Sequence, residues 1–212
     1  MTYGDLPSLG VVYSSINRIK ALDDAGPQLN AVLAISPRAV DEASLRDRER
    51  RAGRLRGPLH GVPVLLKDNI EADDGLATTA GSLALRDNVT RRDAPLVARL
   101  RNAGAVILGK TNLSEWANFR SIDSISGWSA VGGLTRNPHA LDRNACGSSS
   151  GSAVAVAAGF APVAVGTETD GSITCPASMN GIVGLKPTVG LVSRHRIVPI
   201  SATQDTAGPM AR

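Results

Sequence analysis

The chain has 212 residues, of which 42% are hydrophobic and only 3% aromatic, and it carries a formal net charge of +4. This length fits one domain or a large part of one, and the apolar content suffices for a sizeable core. The mild charge comes without interleaved aromatic residues and gives no support to nucleic-acid binding, and no apolar run reaches the length of a membrane span.

The cysteines and the N-terminus indicate the compartment that we expect. Cys146 and Cys175 lack the spacing of a metal site and are too few for a disulfide framework. No apolar run preceded by positive charge opens the chain, so no signal peptide is predicted. We therefore expect a cytoplasmic protein that uses no metal or other cofactor and has neither a nucleic-acid partner nor a membrane partner.

Helical and extended patterns alternate along the chain, as is typical of an α/β sheet. Amphipathic or capped segments predict helices over 8–25, 37–52, 94–103 and 151–159, with a short helix over 112–119. Apolar runs predict strands over 29–36, 62–66, 105–108 and 162–166. The stretch 120–147 is rich in Ser, Gly, Asn and Asp and is expected to be a long irregular loop, a feature that is often functional.

The segment GAVILGKT, Gly104–Thr111, fits the P-loop pattern G-x-x-x-x-G-K-[ST]. A P-loop needs a flexible loop between a strand and a following helix, so that its backbone N–H groups surround phosphates. Here the four middle residues are apolar and follow a predicted helix, which favours a buried strand. Nucleotide binding through this segment is kept as a remote alternative, which predicts an exposed loop at 105–108 and a helix starting at Lys110.

A second motif, Gly147–Gly151, matches the G-x-S-x-G nucleophile elbow with Ser149 as the nucleophile. An elbow requires an apolar strand that runs directly into it, and the polar residues 137–146 cannot supply one. A Ser-His-Asp triad would also have to draw on one of only three histidines, and the polar surroundings of His195 predict an exposed turn. We therefore set the elbow aside.

Lys67 directly follows the apolar strand 62–66, and two loops rich in Gly and hydroxyl groups occur at 147–152 and 166–172. A buried lysine loses its charge readily and can then accept a proton from a serine. Gly171 would let several backbone N–H groups converge as an oxyanion hole. The alternative interpretation of the same residues is that Lys67 ends a strand at the surface and that the serines only form turns.

Several segments in order resemble the amidase signature family. They are GVPVLLKDNI (61–70), GSSSGSA (147–153), GTETDGSI (166–173) and GIVGLKPT (181–188), and GKTNLSE (109–115) is also similar to a family segment. The likeness runs from about Leu22 to Arg212. It implies an α/β fold with a mixed β-sheet core flanked by helices.

The resemblance also implies a site. The Ser-Ser-Lys triad of the family falls on Ser172, Ser148 and Lys67, with Ser148 on a cis peptide in relatives. Ser172 would attack the amide carbonyl, and Ser148 would relay the proton between Ser172 and Lys67. Backbone N–H groups of Thr169, Asp170, Gly171 and Ser172 would hold the oxyanion.

Within the family, segments 114–120, 123–129 and 168–176 resemble bacterial peptide amidases, which hydrolyse the C-terminal amide of peptides. Members that transamidate glutamyl-tRNA usually have Gly-Gly at Asp170-Gly171 and Arg at Thr174. The expected substrate is therefore a small-molecule or peptide amide.

Family members continue well beyond Arg212, so residues 1–212 are expected to be the N-terminal portion of a single amidase signature domain that is truncated at its C-terminus. A missing C-terminal half or a split partner chain would complete the fold. The alternative function is that of an inactive fragment or non-catalytic remnant.

Overall fold

The computed structural model describes residues 6–212, so the first five residues of the expected domain lie outside the described part. The α-helices in this range are α1 (Ser8–Ile19), α2 (Ala39–Arg51), α3 (Pro95–Asn102), α4 (Ser150–Ala157) and α5 (Thr174–Met179). A π-helical turn, Lys20–Asp24, extends α1, and 3-10 turns occur at Leu83–Leu85 and Glu115–Asn118. The strands are β1 (Val32–Ile35), β2 (Pro63–Lys67), β3 (Val106–Thr111), β4 (Trp128–Ser129), β5 (Gly133–Leu134), β6 (Val163–Glu168), β7 (Val183–Gly184) and β8 (Thr206–Ala211).

Six of these strands form one mixed sheet within residues 6–212, in the order β1-β3-β2-β6-β8-β7. The central strands β3, β2 and β6 are parallel, and β1, β8 and β7 are added antiparallel at the two sides. The expected mixed α/β architecture is therefore confirmed. Because β2 and β6 are parallel neighbours, their carboxyl ends lie at the same edge of the sheet. These ends are Lys67 and Glu168.

Side chains of β2 alternate between two cores, one on each face of the sheet. Leu65 packs on the face covered by α1, α2 and α4, whereas Val64 and Leu66 pack on the face covered by α3. This alternation continues past the apolar run. It sends Lys67 and its neighbour Asp68 to opposite faces of the sheet.

The structure confirms the prediction for the P-loop-like segment. Ala105 is buried, Val106–Thr111 is a fully buried strand, and no helix begins at Lys110. Lys110 Nζ donates to the Ile70 carbonyl at 2.6 Å and to Thr78 Oγ1 at 2.9 Å, and it pairs with Asp68 Oδ1 at 3.4 Å. The lysine is therefore a buried ion-pair partner with no free donor for a phosphate, and the nucleotide-binding alternative is wrong.

Two local predictions need correction. The predicted helix over 112–119 is only the 3-10 turn Glu115–Asn118, and Trp116 and Ala117 within it have left-handed backbone angles with φ of 47° and 53°. The stretch 120–147 is mostly irregular, as expected, but it contains the short ribbon of β4 and β5. In both places hydrogen bonds to residues distant in the sequence determine the backbone conformation. One example is the Trp116 N–H, which donates to the Ala80 carbonyl.

In the part of the chain that the structure describes, no helix is both long and apolar enough to cross a lipid bilayer.

Candidate active site

A cavity of about 440 Å³ lies beyond the carboxyl ends of β2 and β6. Ser148 and Ser172 line it together with Asn69 and residues of β6, and the segment 194–206 forms the opposite wall. Ligand sites of α/β sheets commonly occupy this edge, because loops from several strands meet there. The serines selected from the sequence therefore border the same cavity.

Lys67 is the last residue of β2, and its side chain is completely buried. Its Nζ donates to Ser148 Oγ at 2.7 Å and to the Thr167 carbonyl at 3.1 Å. Burial lowers the pKa of Lys67 from 10.5 to about 7, while the negative charges of Glu168 and Asp205 act in the opposite direction. A lysine with this pKa is substantially neutral at neutral pH and can accept a proton.

Ser148 lies in the loop before α4, and the Gly147–Ser148 peptide bond is cis. Its carbonyl accepts a hydrogen bond from the Ser114 N–H at 3.0 Å. A Cβ atom at Gly147 would collide with Ser114 Oγ, so only glycine fits the close approach of these two loops. The turn around Ser114, in the segment where the sequence predicts a helix, thus supports the Ser148 loop.

Ser172 follows Gly171, whose φ of +76° places it in the left-handed region that glycine adopts without strain. The Ser172 side chain is largely buried but borders the cavity, and its carbonyl accepts from the Ser149 N–H at 3.1 Å. Its hydroxyl makes no hydrogen bond with any group of residues 6–212. The expected chain from Lys67 through Ser148 to Ser172 is therefore present in its first link only, and the Ser172 hydroxyl remains free to turn.

The loop after β6 presents backbone donors beside Ser172. The N–H groups of Asp170 and Ser172 donate to no other group within residues 6–212. Burial acts to raise the pKa of Glu168, but hydrogen bonds from the N–H groups of Thr174, Ile173 and Gly171 outweigh it and lower that pKa. The Glu168 carboxylate thus accepts the Gly171 N–H, whereas the N–H groups of Asp170 and Ser172 stay available to an oxyanion.

Ser149, the nucleophile of the elbow motif, has a structural role. Its Oγ is buried, donates to the Thr167 carbonyl at 3.0 Å and accepts from the Thr167 N–H at 3.2 Å. His195 is exposed, as expected, although it lines the same cavity as Ser172. Its ring makes no hydrogen bond with a serine in the described part of the chain, so the geometry gives the elbow no support.

Sequence reasoning missed two groups around the site. Asp205, directly before β8, and Lys186, after β7, both bond to Thr169 in the loop that precedes Ser172. The sequence indicates only one of the two groups, because Lys186 lies inside the segment 181–188 that resembles the family, whereas Asp205 lies outside the quoted segments. Contacts between residues 17 and 36 positions apart leave no periodic trace in the sequence.

The two cysteines also require correction, because Cys146 and Cys175 form a disulfide. Cys146 stands two residues before Ser148 and Cys175 three residues after Ser172, so the bond joins the two serine-bearing segments. Their separation of 29 residues, across α4 and β6, gave no signal in the sequence. Disulfides persist mainly in oxidising compartments, so the cytoplasmic location remains no more than an expectation.

Comparison with known proteins gives consistent matches. A profile of the family described as Amidase matches residues 11–212. A probable amidase of Arabidopsis thaliana is 54% identical over 196 residues, which are 92% of this chain and 38% of that protein. One glutamyl-tRNA(Gln) amidotransferase subunit, from Symbiobacterium thermophilum, is 44% identical over 211 residues, which are 99% of this chain and 41% of that protein.

Among solved structures, the native peptide amidase of Stenotrophomonas maltophilia is 67% identical and superposes with a TM-score of 0.96. The superposition covers 100% of this chain and 43% of that chain. The chain thus spans about two fifths of the length of the relatives that it matches.

Proposed function

The chain belongs to the amidase family, and we propose that it hydrolyses a carboxamide C–N bond with Ser172 as nucleophile, Ser148 as proton relay and Lys67 as base. The observation that carries the proposal is the contact of the fully buried Lys67 Nζ with Ser148 Oγ at 2.7 Å, beside the cavity that Ser172 also lines. Because solvent does not reach the Lys67 ammonium group, its charged form is disfavoured. The neighbouring Ser148 hydroxyl can deliver a proton to the neutral amine.

The first half of the reaction forms an acyl-enzyme. Ser172 Oγ attacks the carboxamide carbon, while its proton passes to Ser148 Oγ and the Ser148 proton passes to neutral Lys67. The carbonyl oxygen becomes an oxyanion, which the backbone N–H groups of the loop Thr169–Ser172 stabilise. The protonated Lys67 then returns a proton through Ser148 to the amide nitrogen, the C–N bond breaks, and ammonia leaves.

The second half of the reaction restores the enzyme. A water molecule attacks the ester carbon and gives a proton to Lys67 through Ser148. The second tetrahedral intermediate collapses, Ser172 Oγ is expelled and regains its proton by the same route, and the carboxylic acid leaves. The free Ser172 hydroxyl fits this scheme, because the hydrogen bonds of a catalytic site often tighten only when substrate binds.

The substrate that we propose is the C-terminal carboxamide of a peptide. Asp170-Gly171 and Thr174 stand where transamidating members of the family usually have Gly-Gly and Arg. The 67% identity to a peptide amidase, compared with 44% to an amidotransferase subunit, supports the same choice. We further propose that residues 1–212 form the N-terminal portion of one amidase signature domain, and that a C-terminal half or a partner chain completes the substrate pocket.

Ammonia release from an amidated dipeptide tests the proposal in two proteins. One is the chain itself, and the other is a chimera in which the chain replaces the aligned 43% of the Stenotrophomonas peptide amidase. We expect the chimera to release ammonia and its Ser172→Ala variant to release none. A folded chimera without activity would contradict the proposal and favour a non-catalytic remnant, and the chain alone reports whether 212 residues suffice.

A further inference from the structure

Asp205 lies where the wall of the cavity meets the loop that precedes Ser172. Its Oδ1 accepts a hydrogen bond from Thr169 Oγ1 at 2.6 Å. Its Oδ2 accepts the N–H groups of Ile200 at 2.8 Å and Ser201 at 2.9 Å. One carboxylate therefore closes the turn 200–205 of the cavity wall on itself and ties it to the loop after β6.

Thr169 is held from two sides by groups of opposite charge. Asp205 accepts a hydrogen bond from its hydroxyl, and Lys186 Nζ donates to its carbonyl at 2.8 Å. Lys186 also lies 3.7 Å from Glu168, whose carboxylate accepts the N–H groups of Ile173 and Thr174 just after Ser172. The loop Thr169–Ser172 is thus anchored at its start by Asp205 and Lys186 and beyond its end by Glu168.

We propose that Asp205 is a positioning residue of this site, which fixes Thr169 against the cavity wall and supplies part of the electric field in which Lys67 accepts its proton. The proposal rests on the proposed function for its kinetic consequences. Its two parts, contact and charge, can be tested apart, because different substitutions remove them.

The charge acts on Lys67 together with only a few other groups. Glu168 and Asp205 oppose the effect of burial on the pKa of Lys67, and Lys186 pairs with Glu168. Arg194 and His195 also line the cavity, and the Arg194 guanidinium is bonded to the carbonyls of Ser201 and Ala202. On the opposite face of the sheet, Asp68 and Lys110 neutralise each other. Loss of the Asp205 charge therefore favours neutral Lys67.

Two substitutions separate contact from charge. Asp205→Asn keeps the shape, since its amide oxygen can accept the two N–H groups while its NH₂ group donates to Thr169 Oγ1, a hydroxyl that can also accept. Thr169→Val removes the contact and leaves the Asp205 charge in place. Asp87→Asn, at a side chain that is 94% exposed, is the matched control for loss of one carboxylate.

The first measurement is the titration of Lys67 in the chain itself, by NMR of lysine labelled with ¹³C at Cε. The chain has only Lys20, Lys67, Lys110 and Lys186, so Lys67→Met assigns the signal. We expect Asp205→Asn to lower the pKa of Lys67, because a negative charge that raises it is removed, with no change in Thr169→Val or Asp87→Asn. An unchanged or raised pKa in Asp205→Asn would overturn the inference, whether or not the protein is an amidase.

The second measurement is the pH profile of ammonia release by the chimera. Asp205→Asn should move the limb of the profile that rises with pH to lower pH, and Thr169→Val should lower kcat about tenfold without moving the limb. Wild-type kcat in Thr169→Val would refute the positioning role. Absence of activity in the unsubstituted chimera would instead refute the proposed function, and the titration would still decide the role of the Asp205 charge.

Discussion

Lys67 Nζ lies 2.7 Å from Ser148 Oγ, inside a site where the lysine side chain has no contact with solvent. This relationship joins the end of β2 to the loop before α4, two segments 81 residues apart in the sequence. Burial drives Lys67 toward its neutral form, and this contact places a hydroxyl group directly beside it. The pair and the groups around it determine how activity and stability should respond to substitution and to pH.

Replacement of Ser172 by Ala should reduce kcat of the chimera to the background, because no neighbouring group can replace its acyl bond. Ser149→Ala should keep most of the activity and should lower the melting temperature, since Ser149 Oγ bonds to both the N–H and the carbonyl of Thr167. Ammonia release and thermal unfolding of both variants check this. An inactive Ser149→Ala beside an active Ser172→Ala would reverse the assignment.

The acidic limb of kcat/KM should have a pKa near 7, because only neutral Lys67 can accept the proton and its pKa is about 7. Activity should rise with pH through that value. Lys67→Arg should be nearly inactive, because guanidinium stays protonated. The pH–rate profile of the chimera measures both effects.

A limb in this range resembles the titration of an ordinary imidazole, so the control is His195→Asn, which removes the histidine that lines the cavity. The limb should survive in this variant. His60 is left in place, because it is buried and bonded to the Arg46 carbonyl, so that its replacement would remove a structural contact as well as a titratable ring. If the limb disappears in His195→Asn, lysine is not the base.

The stability of the chain should depend on pH through Lys67. Its folded pKa of about 7 is lower than the 10.5 of an unfolded lysine, so between these values the unfolded state binds more protons. The free energy of unfolding then rises with pH across this window, by about 1 kcal/mol per pH unit from this group. Below the folded pKa both states are protonated, and above the unfolded pKa neither is, so the contribution is flat outside the window.

Chemical denaturation across the part of this window from about pH 7 to about pH 9.5 should therefore show a shallower rise in Lys67→Met than in the wild-type chain. Lys110→Met is not a suitable control here, because burial also lowers the pKa of Lys110. Lys20→Met serves instead, at an exposed lysine outside the site. Equal slopes in the wild-type chain and Lys67→Met would show that Lys67 titrates alike in the folded and unfolded states.

Lys110→Met should destabilise the chain by about 3–5 kcal/mol, because it leaves the buried Asp68 carboxylate without its partner. The double variant Lys110→Met/Asp68→Asn should recover much of that loss. Denaturant titration of the wild-type chain and both variants checks the coupling. Addition of Mg-ATP should not raise the melting temperature of the wild-type chain, and a clear increase would reopen the P-loop interpretation.

Removal of the disulfide in Cys146→Ser/Cys175→Ser should cost about 3–4 kcal/mol, the loop entropy for a separation of 29 residues. Reduction of the wild-type chain by a dithiol should give a similar decrease in melting temperature, and the double variant should not respond to the dithiol. If the reductant lowers both melting temperatures equally, the disulfide is not the cause.

Much of the central sheet could be predicted from the sequence, because its strands are short apolar runs such as Val106–Leu108 between polar or glycine boundaries. The amphipathic helices could be predicted equally well. Lys67, Ser148 and Ser172 were selected through a resemblance, since composition alone also allowed a strand end and two turn formers. The structure adds the Lys67–Ser148 contact and the shared cavity.

What the sequence could not provide depends on distant partners. Trp116 and Ala117 adopt left-handed angles against their local preference, and the Trp116 N–H donates to the carbonyl of the remote Ala80. Cys146 pairs with Cys175, and Asp205 with Thr169, although the partners are 29 and 36 positions apart in the sequence. Such contacts follow from the assembled sheet, so no local pattern predicts them.

The site of acylation distinguishes the proposed nucleophile from every other serine of the chain. The chimera is mixed with an amidated peptide, quenched with acid during turnover, reduced and digested, and the acylated residue is located by fragmentation in a mass spectrometer. We expect an acyl ester on Ser172 and none in Ser172→Ala. An ester on Ser148 or Ser149, or ammonia release by Ser172→Ala at the wild-type rate, would contradict the assignment of Ser172 as nucleophile.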